Sequence, residues 1–260
     1  MASSPPKDDW KPPGFEGEST YSRRLFEDFL HGWERAAFAS TRNRQHFDNT
    51  LTFRFADHFL ESAVAVVMLT ENGMLGPLRR ELRFLVEHSV KVTAVDQRMG
   101  RAPLDERLAY LKSSIPRSSV DVGDIRFWGL TPASAAEIQR DGKTLFSFLS
   151  RYVHPSQDQL MERLRADRAG NWRGFESTAQ LHSVNKLVFR VYDFVLTHLF
   201  ECLGPSNTGD VFIEVLDYEP EWKFHRGKFM HEIGAVFDYK SERQERLALK
   251  AAAQEPRTTS

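Results

Sequence analysis

The longest stretch with a single helical period runs from residue 178 to residue 204, TAQLHSVNKLVFRVYDFVLTHLFECLG. Its aliphatic side chains recur at intervals of three and four, which places them on one side of an α-helix. Gly204 followed by Pro205 is a typical end for such a helix. A helix of this length has to bury its apolar stripe against other elements, which limits the chain to folds built by helix packing. The stripe consists of Val184, Leu187, Val188, Val191, Val195 and Leu199.

Most of the remaining chain is also predicted to be helical. Leu25, Phe29 and Trp33 lie four residues apart within 21–40 and form one stripe. The segment 46–69 is apolar on more than one face, which predicts a central helix. Further helices are predicted at 72–95, 103–114, 131–153 and 156–168, with loops at 114–130 and 169–177.

The end of the chain is ambiguous. Residues 210–218, DVFIEVLDY, alternate enough for a strand, whereas 221–253 favour a helix that Gly227 and Gly234 weaken. The predicted fold class is therefore mostly α, a helical bundle with an irregular C-terminal extension in which a strand stays an open alternative. The predicted organisation is a disordered leader at 1–18, a bundle domain at 19–204 and an extension at 205–260 that packs on the bundle and frays at its end.

Composition excludes several classes of protein. A net charge of −1 and a pI of about 6.8 give no overall positive field, so RNA would need a local basic patch. Cys202 is the only cysteine, which rules out an intrachain disulfide and a cysteine-rich metal site. The Pro-rich start lacks the apolar segment of a secretory signal, and the longest apolar run, 63–69, is too short to span a membrane. We therefore expect a cytoplasmic protein without membrane contact.

Residues 150–156, SRYVHPS, form a joint between two predicted helices. The proline after His154 disfavours helical backbone at the histidine, so one helix should end there. Ser156, with a glutamine three residues later, matches a capping box that starts the next helix. Two roles for the histidine stay open. Either Tyr152 is core and His154 caps a helix carbonyl, or His154 transfers a proton or binds phosphate.

LRRELRFLVEHSVKVTAV at 78–95 and FSFLSRYVHPS at 146–156 together resemble a group of bacterial all-helical proteins. In that group an Arg-rich helix containing Glu precedes a YVHPS-like segment. The group is similar to the HEPN superfamily of helical bundles, and the resemblance covers about residues 44–200. It implies a metal-independent endoribonuclease of the toxin–antitoxin or phage-defence type, which acts on RNA as a homodimer and binds an antitoxin protein, or a catalytically silent relative. It implies no cofactor.

The positions that match this group carry the predicted site. Arg80, Arg83 and Glu87 stand at i, i+3 and i+7 and share one flank of a helix. Arg83 and Glu87 are also spaced for an ion pair. Apolar residues on the same flank indicate that it faces another helix, which would partly bury the charges and require partners for them. The matching positions of the second segment are Tyr152, His154, Pro155 and Ser156.

RNA cleavage at such a site needs a group that accepts the proton of the 2′-hydroxyl and a cation that stabilises the charge on phosphorus. The resemblance implies His154 with Arg80 or Arg83 for these two tasks. Arg83 with His88, on a single helix, is the alternative pair. The full set of predicted residues is His154, Arg83, Arg80 and Glu87 for catalysis, and Arg151, Tyr152 and Ser156 for RNA binding.

One departure from the HEPN pattern keeps a second function open. Nuclease members have a longer spacing between arginine and histidine than the two residues that separate Arg151 from His154. Pairs with the longer spacing, such as Arg83 and His88, are no more frequent than composition predicts by chance. The alternative is a non-catalytic helical interaction or regulatory protein in which the Arg/Glu/His cluster is a structural polar network.

Other chemistries find no support in the sequence. Gly-Lys-Thr at 142–144 lacks the earlier glycine of a phosphate-binding loop, because Glu137 stands at that position. No Glu-x-x-His pair for a di-iron bundle occurs, and the spacing of His225, His231 and Glu232 matches no zinc motif. We therefore expect neither a metal nor a cofactor.

Overall fold

The segment 178–204 forms the helix that its apolar spacing predicts, and this helix lies at the centre of the structure. The computed structural model describes residues 11–153, 156–168 and 177–254. Every residue from 191 to 200 is buried, so this half of the central helix is covered on all sides.

Twelve α-helices and two short 3₁₀ helices make up the regular structure of the described residues, in which no β-strand occurs. The prediction of a mostly α-helical bundle is confirmed. The helices are α1 Phe15–Ser40, α2 Arg44–Asn49, α3 Leu51–Arg54, α4 Ala56–Glu71, α5 Leu75–Arg98, α6 Leu104–Ser114, α7 Pro132–Ser150, α8 Gln157–Arg168, α9 Thr178–Leu203, α10 Pro205–Glu214, α11 Lys228–Ala235 and α12 Ser241–Gln254. The 3₁₀ helices are Leu216–Tyr218 and Lys223–Arg226.

Helix α1 packs along α9 through the stripe that the sequence predicts. Leu25, Phe29 and Trp33 are all buried. The ring of Phe29 stacks on Tyr192 of α9 with the centroids 4.2 Å apart. The ring of Trp33 lies 5.0 Å from that of Phe59 in α4. Aromatic contacts therefore join α1 to the centre of the bundle on one side and to α4 on the other.

The segment 46–69 is not the single central helix that its apolar content predicts. It is divided into α2, α3 and α4. The carboxylate of Asp96 in α5 accepts hydrogen bonds from the backbone N–H groups of Leu51 (2.8 Å) and Thr52 (3.0 Å). These two donors stand at the start of α3, where a helix has no carbonyl partners of its own. A side chain from another helix thus supports the break, and the central position belongs to α9.

Residues 210–218 are helical, so the strand alternative for this stretch is not realised. Helix α10 begins at Pro205, and proline is favoured at the first position of a helix. Val211, Phe212 and Leu216 turn their side chains into the core. The apparent alternation is the inner face of a short helix followed by a 3₁₀ turn.

The helix predicted over 221–253 is interrupted near the glycines that weakened the prediction. Helix α11 starts directly after Gly227, and its amides at Phe229 and Met230 donate to the buried carboxylate of Asp193 in α9. A Cβ atom at position 227 would lie 2.1 Å from Oδ1 of Asp193. The close approach of the two helices therefore requires glycine at this point.

The N-terminal part of the described chain already belongs to the bundle. Helix α1 begins at Phe15, inside the stretch 1–18 predicted as a leader, and Phe15 is buried. At the other end, α10 and α11 pack against α1 and α9. Residues 205–237 thus contribute side chains to the core of the bundle, of which Phe237 is the last in chain order.

Candidate functional site

Arginines of α5 meet the end of α7, as the sequence predicts for the two segments about seventy residues apart. Arg80 Nε donates a hydrogen bond to the carbonyl oxygen of Tyr152 at 3.1 Å. Arg83 Nε donates to Ser150 Oγ at 3.0 Å, and its guanidinium lies 4.4 Å from the ring centroid of Phe146. The predicted adjacency of these segments is confirmed. We call Arg79, Arg80 and Arg83, with Glu87, the arginine cluster.

Glu87 lies between two cations of its own helix. One carboxylate oxygen is 3.0 Å from Arg83 Nη1, and the other is 2.5 Å from Lys91 Nζ. Lys91 also donates to the carbonyl of Arg117 at 2.7 Å. The predicted Arg83–Glu87 pair is therefore confirmed, and the charge of Glu87 is shared with a second cation one turn further along α5.

Arg79 belongs to the cluster although the sequence analysis did not select it. Its Nη1 lies 2.6 Å from a carboxylate oxygen of Glu162 in α8, and its guanidinium stacks 3.8 Å from the ring centroid of Tyr152. Gln180 of α9 donates to the other oxygen of Glu162 at 3.4 Å. One arginine thus links α5, the end of α7, α8 and the start of α9. The doubled arginine at 79–80, beside positions already selected, is the signal that could have identified it.

The joint at 150–156 is described only in part. Helix α7 ends at Ser150, Tyr152 is buried and Arg151 is exposed. Ser156 Oγ accepts the backbone N–H of Gln159 at 3.2 Å, so the predicted cap of α8 is confirmed. His154 and Pro155 lie outside the described residues, and the roles predicted for them stay predictions.

His88, the alternative partner of Arg83, lies on another side of α5. Its ring is surrounded by those of Phe55, Phe59 and Phe84, with centroid distances of 4.9 to 5.0 Å. Burial, aided by His58 and Lys91, lowers the pKa of His88 to about 4. The imidazole is therefore neutral at physiological pH and packed among aromatic rings. Since Arg83 faces α7, the predicted Arg83–His88 pair is not formed.

An apolar groove lies between α7 and α9 beside the arginine cluster. Its volume is about 430 Å³, within the usual range of ligand sites. Leu145 and Phe148 of α7 form one wall, and Val184 and Leu187 of α9 form the other. Each pair is spaced i and i+3, so each wall is a single helix face. We call this feature the α7–α9 groove.

Basic side chains border the α7–α9 groove. Arg79 closes one end, and Lys186 and Arg190 stand one turn apart on α9. Arg190 forms two hydrogen bonds with the carboxylate of Asp141, at 3.0 and 2.5 Å. The groove therefore combines an apolar floor with a cationic border.

Two further cavities are less suited to bind a ligand. A polar cavity of about 370 Å³ near α2 is bordered by Arg107, but that guanidinium is already paired with Asp96 at 2.8 Å. A cavity of about 70 Å³ near the loop 120–125 is lined in part by His198, which holds the carbonyl of Phe194 through Nδ1 at 2.8 Å. This volume corresponds to roughly two water molecules.

Buried carboxylates that bind backbone amides are the polar feature that the sequence analysis missed. The carboxylates of Asp96 and Asp193 accept hydrogen bonds from backbone N–H groups at the starts of α3 and α11. The carboxylate of Glu201 accepts one from the N–H of Trp128 at 2.8 Å. Burial raises the pKa of Asp193 to about 6 and that of Glu201 to about 7, against the opposing effect of these hydrogen bonds. An acidic residue inside an otherwise apolar helical stretch, as in VYDFV, is the signal that could have found them.

Comparison with family models, with curated proteins and with solved structures finds no match to this chain. Among residues 11–153, 156–168 and 177–254, no group of three His, Cys, Asp or Glu side chains is placed to hold a metal ion. None of the described helices has the length and apolarity needed to cross a membrane.

Proposed function

We propose that the chain is a non-catalytic helical binding protein whose α7–α9 groove receives a partner. One observation carries this proposal: the apolar side chain of Phe148 is 36% exposed and that of Leu187 is partly exposed, beside guanidinium groups already engaged within the chain. An apolar channel of this size bordered by polar groups is typical of an interaction site.

The state of the arginine cluster favours binding over catalysis. Arg83 donates to Ser150, pairs with Glu87 and lies against the ring of Phe146. Arg79 pairs with Glu162 and stacks on the ring of Tyr152. A cation that stabilises a transition state has to direct its charge at the reacting group. Here Glu87 and Glu162 balance those charges inside the chain. The cluster thus fixes α5, α7 and α8 around one end of the groove.

A selection of displayed helical peptides from a randomised library tests this proposal. The wild-type chain should enrich amphipathic sequences, while Leu187→Glu and Phe148→Glu should enrich none, because each places a charge on the apolar floor. Met68→Glu is the matched control, since Met68 is 58% exposed on α4, away from the groove. Circular dichroism would establish equal folding of all variants. No enrichment by the wild type, or enrichment that the groove substitutions leave unchanged, would overturn the proposal.

Arg80 supports a second candidate function, the HEPN-like ribonuclease. Its side chain is exposed and bound through Nε to the carbonyl of Tyr152. Nη1 and Nη2 of Arg80 have no hydrogen-bond partner within the described part of the chain. These donors would be available to an RNA phosphate, with His154 as proton acceptor, in a homodimer controlled by an antitoxin.

An RNA-cleavage assay compares the two candidates. The ribonuclease hypothesis requires cleavage by the wild type, and at least a hundredfold loss, roughly, in Arg80→Ala and His154→Ala at equal folded yield. Arg83→Ala should lose less, because Glu87 already balances its charge. Absence of cleavage by the wild-type chain would remove this candidate. For either function we propose the cytoplasm as the place of action, since the single thiol of Cys202 fits a reducing compartment.

A further inference from the structure

We propose that the occupant of the α7–α9 groove is an amphipathic α-helix of a partner protein, with acidic side chains beside its apolar ridge. This inference rests on the proposed binding function and names the chemistry of the partner.

The dimensions of the groove fit a helix of about three turns. The α9 wall extends from Gln180 to Arg190, which corresponds to roughly 15 Å at the rise of an α-helix. Leu145 and Val184 are buried, so Phe148 of α7 and Leu187 of α9 supply the apolar surface that an incoming helix can reach. Two apolar helix faces of this kind form a trough into which the ridge of a third helix packs.

The exposure of the walls favours a helix over a small ligand. Phe148 is 36% exposed, and Ser183, Lys186 and Arg190 are also exposed. A small molecule bound with useful affinity needs most of its surface enclosed. A helix lying along an open trough covers these side chains while its own outer face stays in water.

The charge of the groove specifies the partner further. Among the described residues that line it, the charged ones are the cations Arg79, Lys186 and Arg190, and none is a carboxylate. The acids that pair with Arg79 and Arg190 are Glu162 and Asp141, which are not part of the lining. Arg79 and Arg190 are thus balanced by these acids, and Lys186 remains as the cation that an acidic border on the incoming helix would meet.

Lys186 is the residue that decides the sign of the partner. Its side chain is exposed and has no ion pair or hydrogen bond among the described residues, unlike those of Arg79 and Arg190. Lys186 and Arg190 are four residues apart on one face of α9. A partner with carboxylates at i and i+4 along one flank would face both cations at matching intervals.

The test uses three fluorescent helical peptides that share one apolar ridge and differ only in their flanks, which carry Glu, Gln or Lys. Binding to the full-length chain is measured by fluorescence anisotropy at low and high salt. We expect the Glu peptide to bind about tenfold more tightly than the Lys peptide, the effect of two exposed ion pairs. This preference should shrink in high salt, because the charges lie at the surface.

Two variants test whether the charge preference of the peptides arises at the groove. Lys186→Glu should weaken the Glu peptide about fivefold and strengthen the Lys peptide, since it reverses one exposed charge. Lys112→Glu is the matched control, an exposed lysine on α6 outside the groove, and should leave both affinities unchanged. Neither position is buried, so both variants should fold like the wild type.

The outcomes separate this inference from the proposed function. Equal affinity for the three peptides, with no effect of Lys186→Glu, would overturn the acidic partner while leaving a helix-binding groove. Failure of all three peptides to bind, together with displacement of an apolar dye from the groove by dodecanoate, would overturn the helical occupant in favour of a lipid-like ligand. Failure of the unbiased peptide selection would instead count against the binding function itself.

Discussion

Glu87 and Asp193 are both carboxylates on long helices of the bundle, yet they are stabilised by opposite means. Glu87 lies near the surface between Arg83 and Lys91, so its charge is balanced by other charges. Asp193 is buried in α9 and binds the amides of Phe229 and Met230 at the start of α11. In the first region side chains pair with side chains, and in the second a carboxylate satisfies backbone groups that a helix start leaves open.

The difference indicates which region carries stability and which is available for function. The ion pairs of Glu87 are partly exposed, and an ion pair that water still reaches contributes little, because water also solvates the separated partners. A buried acceptor that holds unpaired amides contributes more, because its loss leaves those amides unsatisfied in the core. We therefore infer that the Arg83–Glu87 pair can change with little effect on stability, whereas Asp193 holds the start of α11 against α9.

Removal of each carboxylate directly tests whether the buried one contributes more to stability than the one near the surface. Asp193→Ala should lower the free energy of unfolding by about 3 kcal/mol, because the first amides of α11 lose their acceptor in a dry environment. Glu87→Ala should lower it by less than about 1 kcal/mol. Urea denaturation of both variants gives the two values. Equal losses would show that burial does not distinguish the two sites.

Substitution of Gly227 tests the same junction from the other side. A Cβ atom there would lie 2.1 Å from Oδ1 of Asp193, so Gly227→Ala has to displace α11. We expect a loss of roughly 2 kcal/mol, typical of an overpacked core site. Gly76→Ala is the control, since a Cβ at that helical position meets no atom within 4 Å. It should be neutral or slightly stabilising. A thermal melt that ranks the two variants in the reverse order would contradict this account of the junction.

The pH dependence of stability sharpens the comparison for Glu201, another interior carboxylate that binds an amide. Burial raises its pKa to about 7, so the folded chain keeps a proton that the unfolded chain releases near its ordinary value of 4.5. The contribution of this group is therefore complete below pH 4.5 and is lost as the pH rises to 7. We expect a loss of about 1–2 kcal/mol across this interval.

Glu201→Gln removes the titration and keeps an oxygen acceptor for Trp128. Its urea midpoint should change less between pH 4.5 and 7 than that of the wild type. A wild-type stability that falls with pH in this interval, and a Glu201→Gln variant that falls equally, would rule out Glu201 as the source of the fall.

The parts of the fold that the sequence could predict depend on local spacing. The apolar intervals of α1 and α9 determine which faces are buried, whatever the distant parts of the chain do. The breaks in 46–69 and in the C-terminal region depend on Asp96 and Asp193, which lie far away in sequence. A short amphipathic stretch such as 210–218 fits two periods, and only its tertiary contacts select one.

The candidate site likewise combines contacts that local spacing predicts with contacts between residues far apart in sequence. Arg83 and Glu87 are one turn apart, so helix geometry alone predicts their contact. Arg79 and Glu162 are separated by 83 residues, and nothing local indicates that α5 and α8 meet. The α7–α9 groove is less predictable still, because it depends on how far apart two packed helices lie. Its Leu and Val residues have the same spacing as ordinary core residues.

The smallest expected effect is the coupling between Arg83 and Glu87, measured by a double-mutant cycle with Arg83→Ala and Glu87→Ala. We expect about 0.5 kcal/mol, the usual value for an i, i+4 pair near the surface. Lys91 keeps the value low, because it stays 2.5 Å from Glu87 when Arg83 is removed.

Repeating the cycle in a Lys91→Ala background should raise the coupling, since Arg83 is then the cation that remains beside Glu87 on α5. A coupling well above 1 kcal/mol in the wild-type background would show that the arginine cluster behaves like the interior sites. The distinction between a stabilising interior carboxylate and a weakly coupled ion pair near the surface would then fail.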